Sequence, residues 1–167
     1  MKIIFETDRL IVRRLKVSDF DLFHKMQSNP NVMKFVRPKA NTFEENKAEI
    51  KRLINLYEKQ GNNFWIYAIE LKETNTFIGT VALVKDGDDD EIGYRLLEDE
   101  WGKGFGFEVT RGLIEYCKGN NFEKLIAYAA IENKASTKIL EKLNFQFVKK
   151  LIAEDLNIEE RKFELKL

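Results

Sequence analysis

The sequence predicts a mixed α/β (α+β) fold with elements in the order β-α-α-β-β-β-α-β-α-β-β. Two observations carry this prediction. The spacing of apolar residues changes from helical to alternating and back along the chain, and one stretch has the pattern strand, helix, strand. With 167 residues, 44% of them hydrophobic, and no linker or repeat, the chain is expected to form one domain over residues 1–167.

The N-terminal third predicts one strand and two helices. Residues 7–15 alternate in polarity as a half-buried strand does. Ser18 is expected to cap a short helix that Pro30 ends, because the residue before a proline avoids the helical conformation. A longer helix follows, and the capping-box residues Thr42 and Glu45 mark its start.

The middle of the chain predicts three strands joined by short polar turns, which favours an antiparallel meander. These strands cover residues 64–70, 77–84 and 91–97. Helical spacing returns over residues 104–120, and an apolar strand follows at 125–130. Because the strand at 91–97, this helix and the next strand form a crossover, the two strands should pair in parallel.

The C-terminal segment predicts a short helix and two strands. Apolar residues recur at helical spacing between Ala135 and Leu143. Strands follow at 145–150 and 161–167, and the second alternates apolar and charged residues, so one of its faces is expected to be solvated. The predicted sheet is therefore mixed.

The charge and residue counts exclude several classes of function. Twenty-eight Lys and Arg residues balance 28 Asp and Glu residues, so the chain lacks the basic excess of a general nucleic-acid or anionic-membrane binder. Cys117 and His24 are single, which argues against a disulfide, a metal site or a Cys–His nucleophile, and His24 is expected to be structural. We expect neither a signal peptide nor a membrane span, and hence a cytoplasmic protein.

A glycine-rich loop between a strand and a helix is the clearest candidate site. Three of the nine glycines fall within residues 101–106. Glycine allows the main chain to turn with positive φ and to approach a ligand closely, and the unpaired N–H groups of a helix start attract anions. The glycines fit a phosphate-binding loop, and a plain tight turn explains their number equally well.

Spacing separates three kinds of anion-binding loop. A P-loop needs Ser or Thr after Gly-Lys, but Gly104 follows Gly102 and Lys103. A Rossmann fingerprint needs its third glycine where Phe107 stands, and an acidic residue at the end of the next strand, which instead ends in Tyr-Ala-Ala. The pyrophosphate loop of acyl-CoA-dependent acetyltransferases remains.

With these motifs in order, the sequence resembles GNAT-superfamily N-acetyltransferases, in particular the RimJ/RimL-like branch of ribosomal-protein alanine acetyltransferases. The resemblance covers about Thr7 to Leu167. The matching segments are EIGY at 91–94, Gly104 and Gly106 of the loop, NKAS at 133–136 and Leu-Asn-Phe at 143–145. Trp101 stands where the family has Gln or Arg, and Asn144 where it has Gly. The fold implied is a mixed, mostly antiparallel central sheet with helices on both faces.

The resemblance implies acetyl-CoA as cofactor and, as acceptor, a protein N-terminus or a small primary amine. Main-chain amides from Gly102 through Phe107 would hold the pyrophosphate, and the strand at 94–96 would pair with pantetheine. Asn133 would bind pantetheine or the acyl carbonyl, or cap its own helix. The cofactor-binding residues implied are Tyr94, Arg95, Leu96, Trp101, Gly102, Lys103, Gly104, Phe105, Gly106, Phe107, Asn133 and Ser136, with no metal.

Two residues are candidates for proton transfer. Glu91 lies on the strand that would run beside the thioester and could take the amine proton, unless it is a solvated charge of the acidic hairpin. Many family members have a tyrosine where this chain has Leu140, so Ser136 is the candidate donor to the leaving thiolate, unless it only bonds its own helix. Without a usable acid and base, the chain would be an acyl-CoA-binding or regulatory domain, or a ribosome-associated module.

Two further features bear on the acceptor. Residues 86–100 carry eight acidic side chains and one basic one, a local net charge of −7, which would suit a cationic amine. Residues 32–36 with Phe43 offer an apolar wall for the acceptor, or are ordinary core. The resemblance also allows a homodimer.

Overall fold

The computed structural model describes residues 2–167, which form eight strands and five α-helices. The strands are β1 (Ile3–Glu6), β2 (Leu10–Arg14), β3 (Phe64–Leu71), β4 (Thr76–Asp86), β5 (Asp89–Leu96), β6 (Lys124–Ala130), β7 (Gln146–Ala153) and β8 (Ile158–Lys166). The helices are α1 (Phe20–Gln27), α2 (Pro30–Met33), α3 (Phe43–Leu56), α4 (Phe105–Gly119) and α5 (Lys134–Lys142). Short 3₁₀ turns lie at Val17–Asp19 and Glu98–Glu100.

All eight strands belong to one sheet with the order β1-β2-β3-β4-β5-β6-β8-β7. Strands β3, β4 and β5 form the antiparallel meander that the sequence predicts. The crossover through α4 brings β6 back parallel to β5, and β8 and β7 continue the sheet in antiparallel pairing. The predicted mixed, mostly antiparallel sheet is confirmed.

Helices cover both faces of the sheet, and two neighbours on β5 show which helix lies on which face. Successive side chains of a strand point to opposite faces. Tyr94 lies against Gly106 of α4, whereas Arg95 donates from Nη1 to Oε1 of Gln27 in α1 at 2.7 Å. Helix α4 therefore packs on one face, and α1, with α3 against it, packs on the other. Fully buried side chains of the core include Met26, Ile50, Leu113 and Cys117.

The N-terminal region differs from the prediction at the first strand and the first cap. The predicted strand at 7–15 is β2, and it is preceded by β1, a four-residue edge strand whose burial does not alternate. Thr7 turns the chain between them by donating its N–H to the carbonyl of Leu10 at 2.9 Å. Ser18 does not cap α1, because it lies within a 3₁₀ turn. The carboxylate of Asp19 accepts the N–H of Lys16 there at 2.9 Å.

Asn29, the residue before Pro30, is extended as predicted, and Pro30 has a second role. Helix α1 stops at Gln27, and Pro30 opens the short helix α2, where a first residue needs no N–H donor. Asn29 caps α2 by accepting the N–H of Asn31 at 2.9 Å. Two predictions for later helix ends are confirmed. The capping box of α3 is formed, and Asn144 after α5 has a φ of +65°.

A buried ion network joins β2, β3 and the turn before α1. The side chain of Arg13 is 1% exposed and donates two hydrogen bonds of 2.8 Å to Asp19 and one of 2.7 Å to Glu70. Both carboxylates are also buried. Because every charge in the network has an opposite charge in contact, its burial is compatible with a stable fold, and the network sets where α1 begins.

Replacing Arg13 with Ala should destabilise the protein strongly, because Asp19 and Glu70 would stay buried without a counter-charge. We expect a loss of about 3–5 kcal/mol in the free energy of unfolding. The melting temperature should fall by about 6–20 °C, measured by thermal denaturation. The control is Arg52→Ala, which removes an exposed ion pair with Glu49 and should change stability by about 1 kcal/mol or less. Equal effects of the two variants would contradict the role of the network.

Candidate active site

The site begins where β5 and β6 separate. The two parallel strands pair only at Glu91 and Ile126, and beyond that pair they diverge. A cavity of about 740 Å³, here called the central cavity, opens at this point. Of the predicted site residues, those that line it are Glu91, Tyr94, Arg95, Leu96, Trp101, Gly102, Gly104, Phe105, Gly106, Phe107, Asn133 and Ser136. Lys103 does not line it.

The main chain of β5 directs hydrogen-bonding groups to the gap at every second residue. Leu97 donates its N–H to the carbonyl of Ile78 on the β4 side at 2.9 Å. Since opposite residues of an antiparallel ladder alternate between bonded and non-bonded pairs, Tyr94 and Leu96 direct their main-chain groups towards β6. The carbonyl of Leu96 accepts a hydrogen bond from the indole nitrogen of Trp101 at 3.2 Å.

The same alternation changes the expectation for Arg95. Its main-chain groups point to Thr80 of β4, so they are not available to a ligand in the gap, contrary to the prediction from the resemblance. The carbonyl of Arg95 also lies so close to Gly79 that a Cβ there would be 2.1 Å away, which explains the glycine. It is the side chain of Arg95 that enters the central cavity.

The three glycines of the loop meet different structural needs. Gly102 and Gly104 have φ values of +73° and +83°, which favour glycine. Gly106 has ordinary φ, but a Cβ there would lie 2.9 Å from the ring of Tyr94. Gly104 is the N-cap of α4, so the N–H groups of the first turn point out of the helix without intrahelical acceptors. The loop can therefore bind an anion at the end of the gap.

Lys103 is turned away from the central cavity. Its ammonium group pairs with Glu100 at 3.0 Å, and its carbonyl accepts a hydrogen bond from Arg9 at 3.1 Å. The side chain therefore does not add a free positive charge to the glycine loop. Trp101, at the position where the family has Gln or Arg, is 46% exposed and lines the cavity.

Arg9 and Glu108 form a support for the loop that the sequence analysis misses. Glu108, in the first turn of α4, accepts hydrogen bonds from Thr7 Oγ1 at 2.6 Å and from the main chain and Nε of Arg9 at 2.8 and 2.7 Å. Burial opposes the charge, but these donors outweigh it and lower the pKa of Glu108. The only local signal is an acidic residue in a first helical turn.

Glu91 is half-buried and lies inside β5, so the interpretation as a hairpin-turn charge does not describe it. Burial raises the pKa of Glu91 to about 7; Asp86 and Glu160 add to the rise, while Lys162 opposes it. A carboxyl group with this pKa exchanges a proton readily near neutral pH. Glu91 faces the same side of the sheet as Arg95, because the two are four residues apart on one strand.

Ser136 and Tyr94 meet on the other face of the sheet. Their hydroxyl oxygens lie 3.5 Å apart, and both side chains line the central cavity. Burial raises the pKa of Tyr94, so its phenol keeps its proton at neutral pH. Asn133 caps α5, with its side-chain oxygen accepting the N–H of Ser136 at 3.2 Å. Leu140, where many family members have tyrosine, is 6% exposed and brings no hydroxyl.

The acidic segment 86–100 is largely neutralised in the folded chain. Five lysines pair with its acids: Lys25 with Asp99, Lys85 with Asp90, Lys103 with Glu100, and Lys124 and Lys162 with Asp89. Two of these lysines come from strands distant in sequence. The net charge of −7 counted along the segment is therefore not the charge that an acceptor meets, and it no longer favours a cationic amine.

The expected apolar wall is right in part. Val32, Phe35 and Val36 line the central cavity on the side of α1 and α3. Phe43 does not; its ring packs against Phe20 and His24, with centroids 5.1 and 5.2 Å away. Asn46 donates its Nδ2–H to Nδ1 of His24 at 2.9 Å. This environment agrees with the structural role predicted for the histidine.

Comparison with known proteins gives the family. The acetyltransferase (GNAT) domain model matches residues 9–146. An uncharacterized N-acetyltransferase, p20, of Bacillus licheniformis is 33% identical over 146 residues, 84% of this chain and 80% of that protein. The chain therefore belongs to the GNAT acetyltransferase family, as the resemblance predicts.

Solved structures agree with this fold. The ribosomal L7/L12 α-N-protein acetyltransferase RimL, solved with coenzyme A, has a TM-score of 0.83 at 16% identity and covers 99% of this chain and 98% of its own. Spermidine N-acetyltransferase of Vibrio cholerae, solved with CoA and spermine, has a TM-score of 0.79 at 20% identity and covers 95% of each chain. No helix within residues 2–167 is both long and apolar enough to cross a membrane.

Proposed function

We propose that this protein transfers the acetyl group of acetyl-CoA to a primary amine by direct attack in a ternary complex. The observation that carries the proposal is the gap between β5 and β6, which has the glycine loop at one end and the half-buried Glu91 near the strand pair. Family membership supports acetyl transfer, and the CoA complexes of two structural neighbours support the cofactor.

The cofactor would lie along the gap. The N–H groups of the loop and of the first turn of α4, from Gly102 to Phe107, would bind the pyrophosphate. Pantetheine would then pair with the main-chain groups of β5 that face the gap, chiefly those of Tyr94 and the N–H of Leu96. Along this path the thioester would lie between Glu91, on one face of the sheet, and Ser136, on the other.

The reaction needs one proton removed and one supplied. The amine nitrogen attacks the thioester carbon, the carbon–sulfur bond breaks, and CoA leaves as a thiolate. Glu91 would take the amine proton, directly or through water, because its pKa near 7 suits a general base at neutral pH. Ser136, with the neutral phenol of Tyr94 beside it, would donate a hydrogen bond or proton to the thiolate.

The resemblance to the RimJ/RimL-like branch makes a protein N-terminus one acceptor to test, and the spermidine enzyme makes a small amine another. The basic experiment is release of free thiol from acetyl-CoA with a panel of primary amines. Tight CoA binding without thiol release from any amine would overturn the enzyme proposal in favour of a binding domain. A cytoplasmic location and a homodimer remain predictions.

Changing Gly104 to Ala should weaken CoA binding about 5- to 30-fold. An alanine at this positive φ costs about 1–2 kcal/mol, and the loop would relieve it by moving its amides away from the pyrophosphate. Isothermal titration calorimetry with CoA measures the effect.

The matched control for the loop is Gly87→Ala, in the β4–β5 hairpin, where φ is also positive at +60° and a Cβ meets nothing within 4 Å. Gly87→Ala should lower the melting temperature by a similar amount and leave CoA affinity unchanged. Unchanged CoA affinity in folded Gly104→Ala would show that the loop does not hold the pyrophosphate.

Glu91→Gln should lower kcat/KM by about 10²–10⁴-fold, because the amide cannot accept the amine proton. For the native enzyme, kcat/KM should rise with pH until about pH 7 and then level, since the base acts only when deprotonated. In the Glu91→Gln variant, this rise of kcat/KM with pH should be absent.

The variant Glu160→Gln is a second test of Glu91 as the base. This change removes one of the negative charges that raise the pKa of Glu91. The rise of kcat/KM with pH should therefore occur at lower pH, while activity above pH 8 is kept. An unchanged rise of kcat/KM with pH in Glu91→Gln would assign the base to another group.

Ser136→Ala should lower kcat by about 10²-fold with little change in KM, because the hydroxyl is needed when charge develops on sulfur. Steady-state thiol release measures both constants. The control is Thr137→Ala on the same helix, whose hydroxyl is buried without a hydrogen-bond partner and should matter less than twofold. A loss confined to KM would favour a binding role for Ser136.

A further inference from the structure

Arg95 is a partly buried arginine without an ion pair. Within residues 2–167, no carboxylate oxygen lies within the 4.0 Å salt-bridge distance of its guanidinium group. Its one side-chain hydrogen bond runs from Nη1 to Oε1 of Gln27, itself 2% exposed, at 2.7 Å. Among these residues, the only buried side-chain nitrogen or oxygen without a partner is Thr137 Oγ1, so the other N–H groups of Arg95 are open to the central cavity.

This arrangement is costly for the folded protein. Burial lowers the pKa of Arg95 to about 10, and Arg37 lowers it further, while Glu49 opposes the shift. The group still carries its charge at neutral pH. Arg13, which is almost completely buried, has two carboxylates in contact. A partly buried charge that lines a cavity and lacks such partners is a candidate for pairing with a ligand.

The surroundings add positive rather than negative charge. Glu49 is the acidic group whose charge acts on Arg95, but both of its oxygens are held by Arg52 at 2.8 and 2.9 Å. Arg37 lines the same cavity and is bound to the neutral side chain of Asn41 at 2.6 Å. An anion entering here meets two guanidinium groups and one carboxylate that is already paired.

The central cavity that Arg95 lines also has apolar walls. Phe35, Leu53 and Ile66 line it, and Ile66 lies on the same face of the sheet as Arg95. Water is therefore displaced from a bound anion, and charge-assisted hydrogen bonds are strongest under such conditions. The planar fork of a guanidinium group matches a carboxylate in particular.

The position along β5 sets the length of the ligand. Arg95 and Glu91 share one face of the strand, four residues or about 13 Å apart between Cα atoms. A molecule that offers an amine near Glu91 and an anion to Arg95 must therefore separate these groups by several bonds.

Building on the proposed transferase function, we propose that Arg95 binds a carboxylate of the acceptor, so that the substrate class is a primary amine carrying a carboxylate several bonds away. The carboxylate belongs either to a small amino acid or to an acidic side chain near a protein N-terminus. A polyamine, which has no anion, does not satisfy Arg95.

The test measures thiol release from acetyl-CoA with acceptor pairs that differ only in charge. One arm uses ω-amino acids from glycine to 6-aminohexanoate against their carboxamides. The other uses peptides that begin Ala-Asp against peptides that begin Ala-Asn, and spermidine serves as the cationic acceptor. In the best pair, kcat/KM for the carboxylate should exceed that for the amide at least tenfold, and the arm in which this occurs identifies the source of the carboxylate.

Arg95→Gln should reduce this preference to less than twofold, mainly through KM, and Arg95→Lys should restore part of it. The control is Arg14→Gln, which lies outside the cavity and pairs with Glu58 at the surface, and which should keep the preference. The melting temperature of Arg95→Gln should be equal to or above that of the native protein, because the change removes a partly buried charge that has no ion pair. If Arg95 had a structural role, Arg95→Gln would lower the melting temperature strongly instead.

Three results would overturn the proposal: equal use of acid and amide by the native enzyme, a preference that survives Arg95→Gln, or a preference for spermidine. If no amine releases thiol, the transferase function itself fails, and calorimetry of the CoA-loaded protein with 6-aminohexanoate and its carboxamide then decides the role of Arg95. Equal affinity for the two would overturn it, and tighter carboxylate binding that Arg95→Gln removes would support it.

Discussion

The separation of β5 from β6 is the constraint on which the rest of the site depends. Parallel neighbours in a sheet normally continue their hydrogen bonds along their length, but here the pairing stops after Glu91 and Ile126. Main-chain groups of Tyr94 and Leu96 are left facing a gap; Trp101 bonds the carbonyl of Leu96, and the others need partners. Because α4 starts directly after the β5 strand and its loop, the free N–H groups of a helix stand at the end of the same gap.

The alternation of a β-strand divides the roles between the two faces of the sheet. Tyr94 points towards α4 and meets Ser136, so that face carries the groups suited to the thiolate. Glu91 and Arg95 point towards the side of α1 and α3, which suits the acceptor. A shift of the β5 register by one residue would exchange the two sets, and the buried core on both faces opposes such a shift.

Signals that lie close together in the sequence predict much of this structure. The meander, the crossover, the glycine loop and the capping box of α3 depend on neighbours within a few residues, and they are present in the fold. The Arg9–Glu108 support joins positions 99 residues apart, and the lysines that neutralise Asp89 come from other strands. Local sequence patterns do not show which of these distant residues are in contact, because the order of the strands in the sheet decides it.

Two arginines show how the chain separates stability from ligand binding. Arg13 is buried with two carboxylates, so its charge is satisfied in every copy of the folded protein. Arg95 is held by the neutral Gln27 and opens onto a cavity, so its charge is matched only when something anionic enters. Natural proteins tolerate such a destabilised group where binding needs it. The contrast between these two side chains is a physical reason to look for a carboxylate in the acceptor rather than a second positive charge.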